Sequence, residues 1–313
     1  MPGSTTGTWA VDRGEPGRST SGRPRVVAIG GGHGLANALR AVGAYAGEVT
    51  AVVTVADDGG SSGRLRKELG ILPPGDLRKA LVSMADEEAM WPRIFEHRFD
   101  EGELAGHAVG NLVLAALFET TGDVVAALDE AGRLVGSRGR ALPATTECVV
   151  LKADVDGRAV EGQVAVATAP GRINRVEVVP ADAPPVPAAL AAIAGADQIV
   201  LGPGSLYTCV LAVLVVEGLA AAVRAAPGRV VQVGNLRTQD AETAGMDAGD
   251  HLQAIRDHGG RVDVYLAPAG GSLAVDPTRI AALGAETVTA ELSDPRSGEH
   301  DPRRLAIALA ALL

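Results

Sequence analysis

Two glycine-rich turns, each between a run of β-branched residues and a helical pattern, constrain the fold of this chain most. The first turn spans residues 30–34, after the apolar run 26–29, and the second spans residues 202–205, after the apolar run 199–201. Strand, turn and helix in this order are typical of a parallel sheet covered by helices. Glycine lets a ligand approach the backbone, and a helix N-terminus attracts anionic oxygens. Two such turns on one sheet predict a diphosphate ligand.

Composition limits the kinds of partner that the chain can bind. Its 313 residues are 47% hydrophobic and only 3% aromatic, and they carry a net charge of -10. We therefore expect an aliphatic core and no binding to nucleic acid or to an anionic membrane surface. Cys148 and Cys209 lie far apart, and no secretion signal is evident, which predicts a cytoplasmic protein. The apolar stretch 206–226 is interrupted by Glu217 and predicts two buried helical pieces without membrane insertion.

The order of patterns along the chain predicts one α/β domain with an insertion. Residues 1–24 are rich in Gly, Ser, Thr, Pro and Arg, and we expect a disordered tail there, before a single domain at 25–313. A strand at 49–55 completes a βαβ opening of the doubly wound kind. Between about 133 and 180, a period of two and the Asp156-Gly157 turn predict a small antiparallel β region inserted into a mostly parallel sheet. We expect helices at 35–42, 76–85, 91–99 and 109–117, and strands at 147–153, 163–166, 175–179, 198–201, 229–233 and 262–266.

The acidic pair after the second strand stands where open α/β sheets place ligand-binding groups. Asp57 or Asp58 suits a ribose hydroxyl or, together with substrate phosphates, Mg²⁺. The alternative is that both carboxylates cap the next helix. The first turn has neither GxGxxG spacing nor the lysine of a P-loop, so ordinary NAD and ATP sites are not indicated.

Other polar residues follow strand ends or precede predicted helices, and capping remains an alternative for several of them. Arg64 suits a phosphate group, and the hydroxyls beside the second turn suit donation to phosphate. No GxSxG elbow or HExxH spacing is present, so we assign no catalytic residue. The candidate ligand-binding residues are Gly31, Gly32, His33, Gly34, Asp57, Asp58, Ser61, Arg64, Asp76, His107, Asn111, Gly204, Ser205, Leu206, Thr208, Asn235 and Thr238.

Five motifs in order, at residues 30–35, 54–66, 73–78, 107–112 and 202–208, resemble the YvcK-like gluconeogenesis factor family. The resemblance covers residues 25–313 and extends to the wider CofD superfamily. It implies a Rossmann-like fold. It also implies binding of a UDP-sugar such as UDP-N-acetylglucosamine or UDP-glucose, and a role in gluconeogenic growth, cell-wall synthesis and cell shape. The family commonly has threonine at His33 and serine at Cys209, so we expect ligand preference to differ.

Two functional hypotheses follow from the residues and the resemblance. The first is a UDP-sugar-binding regulator, a candidate homodimer, that needs no cofactor and acts through unknown cell-wall or metabolic proteins. In it, Asp57 or Asp58 and Asn235 contact ribose or base. The alternative resembles CofD, the 2-phospho-L-lactate transferase, which moves a phosphoryl-linked group from a nucleotide diphosphate donor to an alcohol. In that hypothesis Asp57, Asp58 and Asp76 hold Mg²⁺.

Overall fold

The computed structural model of the chain describes residues 22–239 and 241–313. Most of the tail expected at 1–24 therefore lies outside the described residues, and the first strand begins at Arg25. The strands are β1 Arg25–Gly30, β2 Glu48–Val53, β3 Arg140–Pro143, β4 Val150–Val155, β5 Arg158–Glu161, β6 Ile173–Val179, β7 Gln198–Leu201, β8 Arg229–Val233, β9 Val264–Pro268 and β10 Glu286–Ala290. The helices are α1 Gly32–Gly43, α2 Gly60–Leu69, α3 Gly75–Ser83, α4 Met90–Glu96, α5 Val109–Thr121, α6 Val124–Val135, α7 Gln163–Thr168, α8 Pro187–Ala194, α9 Leu206–Leu214, α10 Leu219–Ala225, α11 Ala248–Asp257, α12 Pro277–Ala282 and α13 Pro302–Ala310.

Seven parallel strands form the main sheet, in the order β10-β9-β8-β7-β1-β2-β3. The central strands β1 and β7 are rich in Val, Ile, Leu and Ala, and nearly every residue in them is buried. This is the pattern of a parallel sheet whose two faces are both covered by helices. The structure confirms the doubly wound α/β fold, with both α/β portions of the chain in one sheet.

The order of the strands reverses around β1. Ala28 lies opposite Ala51 of β2 on one side and opposite Val200 of β7 on the other. The carboxyl ends of β1 and β7 therefore flank a topological switch point, where open α/β sheets bind ligands. Both glycine turns begin there, because β1 ends at Gly30 and β7 ends at Leu201.

A separate sheet of three antiparallel strands, in the order β5-β4-β6, forms the inserted β region. The expected Asp156-Gly157 turn joins β4 to β5, and both residues have positive φ, at 49° and 79°. The insertion is narrower than 133–180, because α6 continues to Val135 and β3 belongs to the main sheet.

The strand predicted at 163–166 is wrong, since these residues lie in α7. Gly162, with φ of 100°, ends the preceding strand at this point. The carboxylate of Asp58 then accepts the N–H of Val164 at 2.9 Å and so caps α7 from a distant part of the chain. Within α7 only Val166 is buried, so the alternating apolar residues do not form the buried face of a strand.

The apolar stretch at 206–226 forms two helices, α9 and α10, with a bend of 80° between them. Residues 206–211 of α9 are π-helical, and all of α9 is buried. The prediction of two helical pieces is thus confirmed. Within the described residues, no single helix is long and apolar enough to cross a membrane. The bent pair of α9 and α10 reaches the necessary length and apolar composition only when its two halves are counted together.

Candidate functional site

The helix after the first glycine turn begins without a side-chain cap. Among the described residues no side chain caps α1, whose N-cap is Gly31 and whose first turn has no acidic residue. Four other helices each have their own aspartate cap, at Asp123, Asp247, Asp276 and Asp301. The first N–H groups of α1, on Gly32, His33 and Gly34, therefore face outward at the positive end of the helix dipole. Such groups suit anionic oxygens.

The two glycine turns are in direct contact. A Cβ atom on Gly34 would lie 2.1 Å from the carbonyl oxygen of Pro203. A Cβ atom on Gly31 would lie 2.6 Å from Asp76 Oδ2 and 3.3 Å from Cys209 Sγ. Only glycine permits this approach, so the first turn is fixed between the second turn on one side and Asp76 on the other.

A crevice of about 260 Å³ opens between the turns and the loop after β8. Its volume lies just below the range of roughly 300–1,000 Å³ that encloses drug-sized ligands. The crevice therefore suits one part of a nucleotide, such as a nucleoside, with the remainder lying outside it. Side chains from three segments line it, namely His33, Asn37, Leu236, Arg237, Thr238 and Glu299.

Two residues expected to contact ligand at the second turn bond to the protein itself. The amide of Asn235 pairs with the backbone of Gly204, accepting its N–H at 3.0 Å and donating to its carbonyl oxygen at 2.9 Å. The hydroxyl of Ser205 accepts a hydrogen bond from Gln239 Nε2 at 3.0 Å. The amide of Asn235 thus stabilises the second turn, and the residue also lines the crevice where contact with ribose or base is expected.

Glu242, which sequence reasoning missed, occupies the N-terminus of α9. Its Oε1 accepts the N–H groups of Tyr207 at 2.7 Å and Thr208 at 2.6 Å, and the carboxylate also bonds to the Ser205 hydroxyl. Glu242 is buried, and burial raises the pKa of its carboxyl group. Leu206, another candidate, is the buried first residue of α9. Since 34 residues separate Glu242 from Thr208, no local spacing signals this contact.

Asp57 lies beside Gly75 at the start of α3, close enough to Asp76 and Lys79 to feel their charges. Asp57 Oδ1 accepts the N–H of Gly59 at 2.9 Å, and Asp76 Oδ1 accepts Lys79 Nζ at 3.1 Å. Burial raises the pKa of Asp57, and the charge of Asp76 raises it further, while the Gly59 N–H, Ser62 and Lys79 act against this. Two desolvated carboxylates beside one lysine can bind hydroxyl groups or a hard cation.

Asp58 points away from this pair, toward Val164 of the inserted region. The structure therefore does not bring together the trio of Asp57, Asp58 and Asp76 that the transferase hypothesis expects. Among residues 22–239 and 241–313, no group of three or more His, Cys, Asp or Glu side chains is arranged to hold a metal ion. Asp57 and Asp76 remain a pair, and Mg²⁺ takes one or two carboxylates together with substrate phosphates.

We expect Asp58→Ala to weaken the attachment of the insertion without changing ligand affinity. Loss of the cap on α7 should cost about 1 kcal/mol of the free energy of unfolding, measured by urea denaturation. Asp123→Ala, which removes the cap of α6, is the matched control and should cost a similar amount. A tenfold loss of nucleotide affinity in Asp58→Ala alone would show that Asp58 contacts the ligand.

We expect Asp57→Asn to stabilise the ligand-free protein at neutral and alkaline pH. Because the folded-state pKa of Asp57 is raised, its ionisation destabilises the fold as the pH increases through that pKa. Asparagine removes the charge and keeps an oxygen for the Gly59 N–H. Thermal unfolding at pH 8 should show a higher Tm for the variant, and the difference should shrink toward pH 4. A lower Tm at pH 8 would contradict this assignment.

A buried polar network orients Ser61 at the start of α2. Arg78 Nε donates to Asn111 Oδ1 at 3.0 Å, so the Asn111 amide nitrogen faces Ser61 and donates to its hydroxyl at 3.0 Å. Ser61 also bonds to His107 Nδ1 at 2.9 Å, and Arg78 forms an ion pair with Glu96 at 2.6 Å. The structure thus brings the three candidates Ser61, His107 and Asn111 together, with Arg78 as their anchor.

Positive charge accumulates on the outer side of this network. Arg64 donates to the carbonyl oxygen of Ala105 at 2.8 Å, and Arg98 bonds to Gly106. Burial lowers the pKa of His107, and the charge of Arg64 lowers it further. One ring nitrogen of His107, Nδ1, is bonded to Ser61. Among the described residues no side chain caps α2, so its N-terminus adds a second set of outward N–H groups near the site.

The parallel sheet, with a crevice at its switch point and an uncapped helix after the first turn, defines a doubly wound α/β protein. The chain belongs to the CofD family, whose model, described as 2-phospho-L-lactate transferase CofD, matches residues 26–294. This confirms the family expected from the five motifs.

Its relatives in two bacilli are named gluconeogenesis factors. The protein of Halalkalibacterium halodurans is 45% identical over 240 residues, which cover 76% of this chain and 74% of the relative. That of Bacillus subtilis is 43% identical, with 76% of each chain covered. A "Putative gluconeogenesis factor" of Mycobacterium tuberculosis H37Rv is 43% identical over 91% of this chain and 89% of its own. A crystal structure of a UPF0052 family member from Bacillus halodurans superposes with a TM-score of 0.87 at 40% identity, covering 92% of this chain and 99% of that one.

Proposed function

We propose that this chain is a cytoplasmic regulatory protein that binds a UDP-sugar, with UDP-N-acetylglucosamine or UDP-glucose as its ligand. The observation that carries the proposal is the uncapped N-terminus of α1, which lies at the switch point beside a nucleoside-sized crevice. Outward N–H groups and the helix dipole favour the diphosphate at Gly32, His33 and Gly34. The crevice beside them would hold the uridine.

The polar groups on the other side of the first turn suit a sugar. Asp57 and Asp76 accept hydrogen bonds, and Lys79 donates them, so together they complement hydroxyl groups. Asp76 lies next to Gly31, so a ligand whose diphosphate rests on α1 would extend its sugar toward this cluster. This arrangement requires no metal ion, and the regulator needs no cofactor.

The biological role proposed here rests on the relatives and on the family resemblance. Gluconeogenesis factors of two bacilli share more than 40% of their aligned residues with this chain, which supports a role in growth on gluconeogenic carbon. We propose that the bound UDP-sugar links this metabolism to cell-wall synthesis and cell shape through cell-wall or metabolic partner proteins. We propose that the chain acts as a homodimer in that role.

A Mg²⁺-dependent transferase is the second candidate, and the description of the matching family model favours it. Asp57 and Asp76 would hold Mg²⁺ on a nucleotide diphosphate donor, and a substrate alcohol would attack the phosphorus. The Asp76–Lys79 ion pair at 3.1 Å lowers the negative charge available to a cation, which favours the regulator.

Calorimetric titration with UDP-N-acetylglucosamine, with and without Mg²⁺, tests the proposal. We expect one equivalent to bind in both conditions, more tightly than GDP or NAD and without turnover. Absence of binding at millimolar ligand would overturn the proposal. Strictly Mg²⁺-dependent binding, a preference for GDP, or product formation that Asp57→Asn abolishes would favour the transferase.

A further inference from the structure

The N–H groups at the start of α9 already bond to an anion that belongs to the protein. The N-termini of α1 and α9 follow the two glycine turns, yet only α9 has a carboxylate on it. Glu242 accepts two N–H groups at 2.7 and 2.6 Å, which are the short distances of charge-assisted hydrogen bonds. The second turn therefore differs chemically from the first, although the two resemble each other in sequence.

The segment that leads to Glu242 is attached to the second turn by two residues that precede the carboxylate. Asn235 pairs with Gly204 through two hydrogen bonds, and Gln239 donates to the Ser205 hydroxyl. Thr243 then closes a turn with Gln239, donating its N–H to the Gln239 carbonyl at 2.9 Å. Displacing Glu242 would break its own bonds to the N–H groups of Tyr207 and Thr208 and expose a residue that is only 5% accessible.

A ligand phosphate at the second turn would meet a buried negative charge and donors that are already satisfied. Like charges at close range in a desolvated site repel strongly, and the partial charge of the helix end is neutralised by Glu242. The carboxylate instead accepts hydrogen bonds, as it does from Ser205. Neutral groups that carry hydroxyls or amides are compatible with this environment.

We propose that Glu242 is a specificity-determining residue, which excludes phosphate from the second turn and confines the diphosphate to the first. The second turn then contacts a neutral, hydroxyl-bearing part of the ligand. The inference rests on the proposed nucleotide-sugar site. The sequence predicts that both turns bind the diphosphate, whereas here only the first turn binds it.

Pyrophosphate is the probe for this inference, read by calorimetry and by hydrogen exchange of backbone amides. The wild-type protein should bind one equivalent, with new protection over residues 31–35 and none over 205–210. Glu242→Ala should bind a second equivalent, with new protection over 205–210. Glu242→Gln, which keeps the shape and removes the charge, should show the same gain if Glu242→Ala does not fold.

The matched control is Glu217→Ala, which removes an equal charge from an exposed site and should behave like the wild type. Two results would overturn the inference: no extra pyrophosphate in either Glu242 variant, or wild-type protection over 205–210 together with loss of protection over 241–246. A third result is that the wild-type protein binds no pyrophosphate, whereas the Glu242→Ala variant binds one equivalent at 205–210. This result would support the proposed role of Glu242. That result would remove the first-turn site on which the proposed function depends.

Discussion

Alanine at Gly34 should abolish nucleotide binding and destabilise the fold. The new Cβ would lie 2.1 Å from the carbonyl oxygen of Pro203 and 2.9 Å from the Cα of Gly204, both in the backbone of the second turn. Backbone cannot rotate away as a flexible side chain does, so the two turns must separate. We expect a loss of about 3 kcal/mol in the free energy of unfolding, and at least a tenfold loss of UDP-N-acetylglucosamine affinity, about 1.4 kcal/mol.

Gly43→Ala provides the control for this substitution. Gly43 is the last residue of α1, and a Cβ there has no neighbour within 4 Å among the described residues. Alanine at this position should leave binding unchanged and stabilise the protein by up to about 1 kcal/mol, because it restricts the unfolded chain. Equal effects of the two substitutions in guanidinium unfolding would show that contact between the turns is unimportant.

Alanine at Arg78 should have the second large effect, through the buried network at the start of α2. Arg78 is 2% exposed and bonds to Asn111, to the carbonyl oxygen of Phe95 and to Glu96. Its loss leaves the buried Asn111 oxygen without a donor and opens a cavity beside Gly110. We expect a cost of about 3 kcal/mol in urea unfolding, from the unsatisfied group and the lost packing.

The Glu96→Gln variant distinguishes the contribution of the buried network to stability from that of the Arg78–Glu96 ion pair at the surface. The Glu96 side chain is half exposed, so its pair with Arg78 is screened by water and should contribute less than about 1 kcal/mol. Arg78→Ala should also free the Asn111 amide to turn, which loosens Ser61 and His107. A cost in Glu96→Gln as large as that in Arg78→Ala would place the main stabilisation in the ion pair.

Local patterns in the sequence were sufficient to predict both glycine turns and five of the seven strands of the main sheet, but not β3 or β10. Buried parallel strands need continuous aliphatic runs, and a turn that approaches another backbone needs glycine, so both leave short-range signals. The segment at 163–166 misled the prediction because its helix depends on Asp58, more than 100 residues earlier. When a distant residue caps a helix, the sequence next to that helix contains no capping residue that would predict where it begins.

The candidate site was predictable to the level of motifs, and the orientation of side chains within them was not. Asp57 and Asp58 are adjacent in sequence, yet one faces Asp76 and the other faces α7. Glu242 was missed because its partners Tyr207 and Thr208 are set by tertiary packing, whereas Lys79 pairs with Asp76 only three residues earlier on α3. The contact of Glu242 with α9 also decides which of two similar turns is open to an anion.

A structure of this protein with UDP-N-acetylglucosamine bound would show which of the two turns holds the diphosphate. We expect diphosphate oxygens within hydrogen-bond distance of the N–H groups of Gly32, His33 and Gly34, and the uridine in the crevice between the two turns. The hydrogen bonds that the N–H groups of Tyr207 and Thr208 donate to Glu242 should persist in that complex. A diphosphate bound at the start of α9, or a ligand elsewhere on the sheet, would contradict the account.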